Sequence, residues 1–167
     1  MERILVVLYL LIIIQRLGEL WLAKSNFNWM MSKGGKETGE EHYFLFIVLH
    51  SLFFISLAVE FFFSTRQFTS LFVPFFIMFL ILQVLRVWCI TSLGRRWNTR
   101  IIVLPSEKPV SKGPYRLIKH PNYLIVFLEL VVIPIMFQAY MTAVIFPVFH
   151  LALMTIRIPA ENQALRE

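Results

Sequence analysis

The run YLIVFLELVVIPIMFQAYMTAVIFPVFHLALMTI, from Tyr123 to Ile156, is almost wholly apolar. As one helix its 34 residues would reach roughly 51 Å at about 1.5 Å per residue, well beyond a hydrocarbon core of about 30 Å. Two helices of about 16 residues reach about 24 Å each, short for a span but workable where the bilayer thins. The stretch Gln138-Ala-Tyr-Met-Thr142 is the place to turn. The run therefore predicts a helical hairpin, a fourth and a fifth span, whose two polar ends emerge on one face of the membrane. One end is Gly113-Pro-Tyr-Arg-Leu-Ile-Lys-His-Pro-Asn-Tyr123; the other begins at Arg157.

The first of these ends is a shaped turn. Pro114 and Pro121 fix φ at their own positions and push the residue before each out of the helical region. His120, Tyr115 and Tyr123 can donate or accept hydrogen bonds there. From chemistry alone two readings stand side by side: a stiff loop that opens a membrane helix with Asn122 as its cap, or a binding surface.

Working outward, three more apolar segments precede the hairpin. With 58% hydrophobic residues in a chain of 167 and a mean hydropathy of +0.71, a soluble domain is excluded and a small all-α integral membrane protein of about five spans is indicated. The first span runs from about Ile4 to Ala23 and, lacking a small-residue cleavage site, is expected to stay as a helix rather than be removed. It carries Arg16 and Glu19, three apart and on one face. Charges at that depth face protein or water and pair. They make either a structural ion pair or a polar floor under a site. Residues 24–41, polar and glycine-rich, read as a surface loop. The second span, about Tyr43 to Phe63, holds His50 as a hydrogen-bonded interior histidine and Glu60 near its far end, at the interface. A short loop (Ser64, Thr65, Arg66, Gln67) leads to the third, about Leu71 to Leu93, in which Arg86 is expected to snorkel towards the basic end.

Residues 94–121 form the longest loop, with Arg95, Arg96, Arg100, Lys108, Lys112, Arg116 and Lys119 against Glu107 alone. This basic cluster beside a span end marks the cytoplasmic side, and anionic membrane lipids suit it; it is a topology signal rather than a nucleic-acid surface. Loops 24–41 and 94–121 and the C-terminus are then cytoplasmic, and the N-terminus is outside. No HxxxH, HExxH or cysteine cluster points to a metal. Cys89, alone and mid-span, forms no intramolecular disulfide, and no serine or cysteine nucleophile with a base is apparent.

Gly-Pro-Tyr, four residues, then His-Pro-Asn-Tyr, standing here as Gly113–Tyr115 and His120–Tyr123, resembles the cofactor signature of the isoprenylcysteine carboxyl methyltransferase family. So does Arg157-Ile-Pro-Ala-Glu161-Asn-Gln-Ala-Leu165, an arginine, three residues, a glutamate and a leucine four further on. The resemblance implies an integral membrane enzyme that transfers a methyl group from S-adenosyl-L-methionine. It implies a single membrane methyltransferase domain over residues 1–167, with the cofactor-binding part at about 94–167. Carried over residue by residue, Lys108, Pro109, Val110, Tyr115, His120, Pro121, Asn122, Tyr123 and Glu161 bind the cofactor, and Arg157 is the catalytic residue that faces an anionic acceptor oxygen. The family's usual second acidic residue is Asn162 here. Arg16 to Glu19, and Gly34 through His42 and Tyr43, further resemble a bacterial branch that methylates alkylpyrones and related phenolic lipids. This implies a lipophilic small-molecule substrate and a bacterial cell membrane with the site facing the cytoplasm.

Methyl transfer from a sulfonium asks the protein for positioning and charge, not for a covalent nucleophile. Glu161 offers a carboxylate to a cation, the tyrosines offer rings, and Arg157 offers a planar, permanently charged fork for an anionic oxygen. Arg157 and Glu161 also stand at i,i+4, where an ordinary helical salt bridge is the simpler outcome. Prenylated cysteine carboxylates and phospholipid amines are the alternative acceptors. A non-catalytic membrane scaffold or lipid-binding module is the alternative of another class.

Overall fold

A computed structural model describes residues 2–63, 70–105 and 107–166. The expected 64–67 loop lies outside the described residues. The chain runs α1 (Glu2–Ser32), β1 (Lys36–Thr38), α2 (Glu40–Phe63), α3 (Phe72–Leu93), a 3₁₀ turn (Gly94–Arg96), β2 (Ile101–Val103), a second 3₁₀ turn (Gly113–Arg116), α4 (Pro121–Met136) and α5 (Tyr140–Ala164). Among the described residues, α1, α2, α3 and α5 are long and apolar enough to cross a membrane. α4, at 16 residues, reaches about 24 Å.

Each helix buries one stripe and turns large apolar residues outward. Leu49, Phe53, Leu57 and Phe61 form the buried stripe of α2, each four residues from the last, which keeps them on one face. Phe79, Leu82, Arg86 and Cys89 do the same on α3. Outward, Trp21, Phe62, Phe63 and Val84 are largely exposed. In water such a surface would aggregate; against lipid it is the expected exterior. The core closes around Phe53, Phe79, Leu130, Ile133 and Phe146 from α2 to α5.

The hairpin forms between α4 and α5. It reverses at Gln138, whose φ of 58° is left-handed, and the Ala139 N–H donates back to the Pro134 carbonyl at 2.8 Å. Glu60 of α2 then caps α5. Its carboxylate accepts the backbone N–H of Met141 at 3.0 Å and of Thr142 at 2.9 Å, and the Thr142 hydroxyl at 2.8 Å. An acid on the first turn's free N–H groups is stabilising, so Glu60 does more than sit at an interface.

Four expectations need correction. α1 does not end near Ala23 but continues to Ser32. The buried Asn26 side chain donates to the Trp97 carbonyl at 2.7 Å, and Asn98 donates to the Ala23 carbonyl at 3.1 Å, so the polar turns of α1 are held by the segment after α3. Next, residues 24–41 and 94–121 are not two separate loops. β1 and β2 pair antiparallel with Glu37 opposite Ile102, and Arg100 bonds Glu37 at 2.7 Å. This small ribbon, absent from the all-α expectation, places both polar segments at one end of the bundle. Third, Arg86 does not snorkel. It lies in the buried stripe of α3, donating to Glu129 at 2.7 Å and to Glu19 at 2.5 and 2.7 Å. Arg16 meets Glu19 at 3.0 Å and Glu129 at 2.8 Å. The two arginines and two glutamates thus alternate in a closed ring, the arrangement that makes buried charge tolerable. Fourth, α4 begins at Pro121, so Asn122 lies within the first turn and is not its cap.

Candidate active site

Gly113 sets the geometry of the signature segment. Its φ is +55°, and a Cβ there would overlap the Ser92 hydroxyl and press on the Trp88 indole of α3. Only glycine allows the chain to pass so close in that conformation. Buried Pro114 then starts the 3₁₀ turn, which presents Tyr115 beside the Cys89 thiol. Burial pushes the Tyr115 phenol well above its usual range, so it stays a neutral donor. Pro121 occupies the first turn of α4, where its missing N–H costs nothing, and aligns Asn122 and Tyr123 with the end of α5.

At that junction the two signature segments meet. The Tyr123 hydroxyl donates to Glu161 and accepts from Arg157 Nε at 3.1 Å. Arg157 Nη2 donates to the Thr99 carbonyl at 2.6 Å, and its guanidinium lies 4.8 Å from the Phe46 ring centre. The i,i+4 salt bridge is therefore replaced by a relay in which a phenol separates the cation from the carboxylate. Arg157 Nη1 has no hydrogen-bond partner among the described residues, which leaves its donors for a ligand.

His120 completes the cluster. Its Nε2 lies 3.2 Å from Asn162 Oδ1 and its Nδ1 3.5 Å from Glu161, and its ring stacks on Tyr123 at 5.5 Å. Both neighbours are acceptors, which suits the imidazolium, and the Glu161 bond raises the His120 pKa above the ordinary histidine value. Asn162 thus engages histidine with an amide oxygen where a glutamate would have brought a second negative charge.

These residues line an open cleft of about 100 Å³. Tyr115, His120, Asn122, Tyr123, Arg157 and Glu161 are all on its wall. Pro121 is buried behind it as the helix start. Lys108, Pro109 and Val110 are not on the wall; Lys108 and Pro109 are exposed. Arg96, which is on the wall, holds that segment by donating to the Lys108 carbonyl at 2.9 Å and pairing with Glu107. Sequence reading missed Trp97 and Phe46. Trp97, 1% exposed, also lines the cleft. A tryptophan inside a basic polar loop was the available signal. Among the described residues, two buried polar atoms on the wall have no partner, the Trp97 Nε1–H donor and the Asn122 Oδ1 acceptor. Native proteins rarely leave such groups unpaired. A ligand with both a donor and an acceptor would satisfy them.

The isoprenylcysteine carboxyl methyltransferase family model matches residues 75–167, which hold α3, the basic segment and the whole hairpin. The chain belongs to the isoprenylcysteine carboxyl methyltransferase family. It is also 41% identical over 157 residues to the uncharacterized protein YpbQ of Bacillus subtilis (strain 168), covering 94% of each chain. No solved structure matches it. Membership makes it an integral membrane protein of a methyltransferase family, and the residues that line the cleft all lie in the family-matched part, with Phe46 of α2 beneath Arg157 outside it.

Proposed function

We propose that this protein is an S-adenosyl-L-methionine-dependent O-methyltransferase for a small amphipathic lipid, such as an alkylpyrone or alkylresorcinol. In this reading it has five spans, α4 included, and the cleft faces the cytoplasm of a bacterial cell. The observation that carries the reading is the relay through Tyr123, which presents a carboxylate and a guanidinium to one cleft without letting them neutralise each other.

The chemistry of the cleft's side chains suits the cofactor. Glu161 offers a carboxylate to a cationic ligand, Tyr115 and Tyr123 offer ring faces, and the Trp97 donor and Asn122 acceptor await polar partners. When bound, S-adenosylmethionine would supply an electrophilic methyl group, whose transfer to an anionic oxygen would exchange one S–C bond for one O–C bond and leave a neutral thioether and a neutral ether. Arg157 acts on the acceptor. Held by Tyr123, Thr99 and Phe46, it directs its free Nη1 donors at an ionised oxygen and keeps that oxygen in line. An acidic enol or phenol bound as its anion needs no further base.

Incubating the purified chain with radiolabelled S-adenosylmethionine and 5-alkylresorcinol tests this reading. Label is expected in the lipid, and Glu161→Gln is expected to weaken cofactor binding measured by calorimetry while the protein stays folded. Unchanged affinity would move the chain to the scaffold alternative. The sidedness is checked by cysteine labelling in a Cys89→Ser background. Probes at Ser106 and Gln163 are expected to react from the same side, and labelling from opposite sides would break the hairpin topology.

A further inference from the structure

The reading above leaves a second cavity without a role. Below the cleft, among α1, α2, α3 and α4, lies a small space of about 40 Å³. Phe53 and Val126 stand among its apolar walls, and Arg16, His50, Arg86 and Glu129 give it a polar surface. Two elements tie it to the cleft. On α4, Val126 follows Tyr123 by three residues, about 4.5 Å along the axis. On α2, Phe46 underlies Arg157 and its carbonyl lies 2.8 Å from His50 Nδ1. A carbonyl can only accept, so Nδ1 carries the proton of the neutral ring and Nε2 keeps its lone pair.

The polar surface is more than a closed salt-bridge ring. Arg16 and Arg86 each carry more N–H groups than their bonds to Glu19 and Glu129 use. Spare donors at membrane depth favour an oxygen partner, since nothing in lipid tails can supply one. The ring is electrically balanced, so the cavity suits neutral oxygen functions rather than an ion. Its apolar walls and small volume suit the hydroxyl-bearing edge of a ring rather than a whole head group.

We propose that this cavity is the inner half of the acceptor site and holds a second, non-reacting oxygen of the acceptor's head group. The occupant is a ring lipid with at least two oxygen functions: one oxygen reaches Arg157 in the cleft, and another, about one helical turn deeper, meets His50 Nε2 and the spare guanidinium donors. The inference rests on the methyltransferase reading for the outer half alone.

The test uses the full chain in nanodiscs and two probes with the same tail, 5-pentadecylresorcinol and 3-pentadecylphenol, which differ by one hydroxyl. Binding of the tritiated resorcinol is measured directly and the phenol as competitor, with S-adenosylhomocysteine binding followed in parallel. The wild type is expected to prefer the resorcinol by about tenfold, the worth of one hydrogen bond of ordinary strength. His50→Phe removes the acceptor, and Val126→Phe fills the cavity while leaving His50 and the charge ring in place. Either is expected to reduce the preference to about onefold with S-adenosylhomocysteine binding retained, and if one variant does not fold the other decides. Equal binding of the two lipids by the wild type, no binding of either, or a preference that survives in a folded variant overturns the inference. The S-adenosylhomocysteine measurement separates these outcomes from failure of the methyltransferase reading, which would abolish that binding as well.

Discussion

Two clusters of arginine and glutamate lie in this molecule, one above the other, and they behave in opposite ways. In the inner cluster Arg16 and Glu19, three apart on α1, touch at 3.0 Å and are locked with Arg86 and Glu129. In the outer cluster Arg157 and Glu161, four apart on α5, are held off each other by the Tyr123 hydroxyl. Both pairs have spacings at which helical salt bridges form. The difference is the third party. α3 and α4 bring the inner pair more charge of both signs, so the charges balance one another and only N–H donors are left over. α4 brings the outer pair a neutral phenol, so both charges stay available. Helical spacing alone does not tell a pair that closes on itself from a pair that is held apart; what the neighbouring helix inserts does.

The strongest way to break this contrast is at Glu129. Glu129→Ala leaves Arg16 and Arg86 sharing Glu19 inside the membrane, and removing one member of a buried pair costs about 3–5 kcal/mol. A large drop in the detergent melting temperature is expected, with little folded protein recovered. A melting temperature within a degree or two of wild type would show that the inner ring is not structural.

At the outer cluster the expected loss is in function, not in folding. Arg157→Lys keeps the charge but loses the planar fork. Single-turnover methylation is expected to fall by about 10²-fold or more, as when one transition-state donor worth about 2.7–4 kcal/mol is removed, while cofactor affinity and melting temperature change far less. Near-normal turnover, or equal damage to turnover and cofactor binding, would place Arg157 in the cofactor site or in the framework.

The smallest expected effect sharpens the outer cluster further. Glu161 raises the His120 pKa, so the folded protein favours the imidazolium more than the unfolded chain does. The resulting stability is fully present below the unfolded histidine value of about 6.5 and is lost as pH rises through the higher folded value. The melting-temperature advantage of wild type over His120→Ala is therefore expected to be largest in mild acid and to fade in base. Screening at the cleft edge keeps it under about 1 kcal/mol. An advantage that grows with pH would mean that His120 works as the neutral ring.

Much of the outline was legible in the chain because it follows from length. A run of 34 apolar residues cannot cross a bilayer once without a large excess, so it must fold back, and folding back brings His120 and Tyr123 to Arg157 and Glu161. The signature segments could be read as well, since proline and glycine restrict or free the backbone wherever they occur; Gly113 at a φ of +55° is that rule at work. What the sequence could not determine was every feature that depends on a partner from another helix. Three-residue strands are too short to show a period, so β1 and β2 appear only where they pair. Arg86 and a snorkelling arginine look alike until Glu19 and Glu129 arrive from α1 and α4. Trp97 stands out only as a tryptophan in a basic loop until its indole N–H is buried on the cleft wall with no partner among the described residues. Backbone restrictions and segment lengths act within one stretch of chain, whereas the direction of a side chain is decided by whichever groups the tertiary structure sets opposite it.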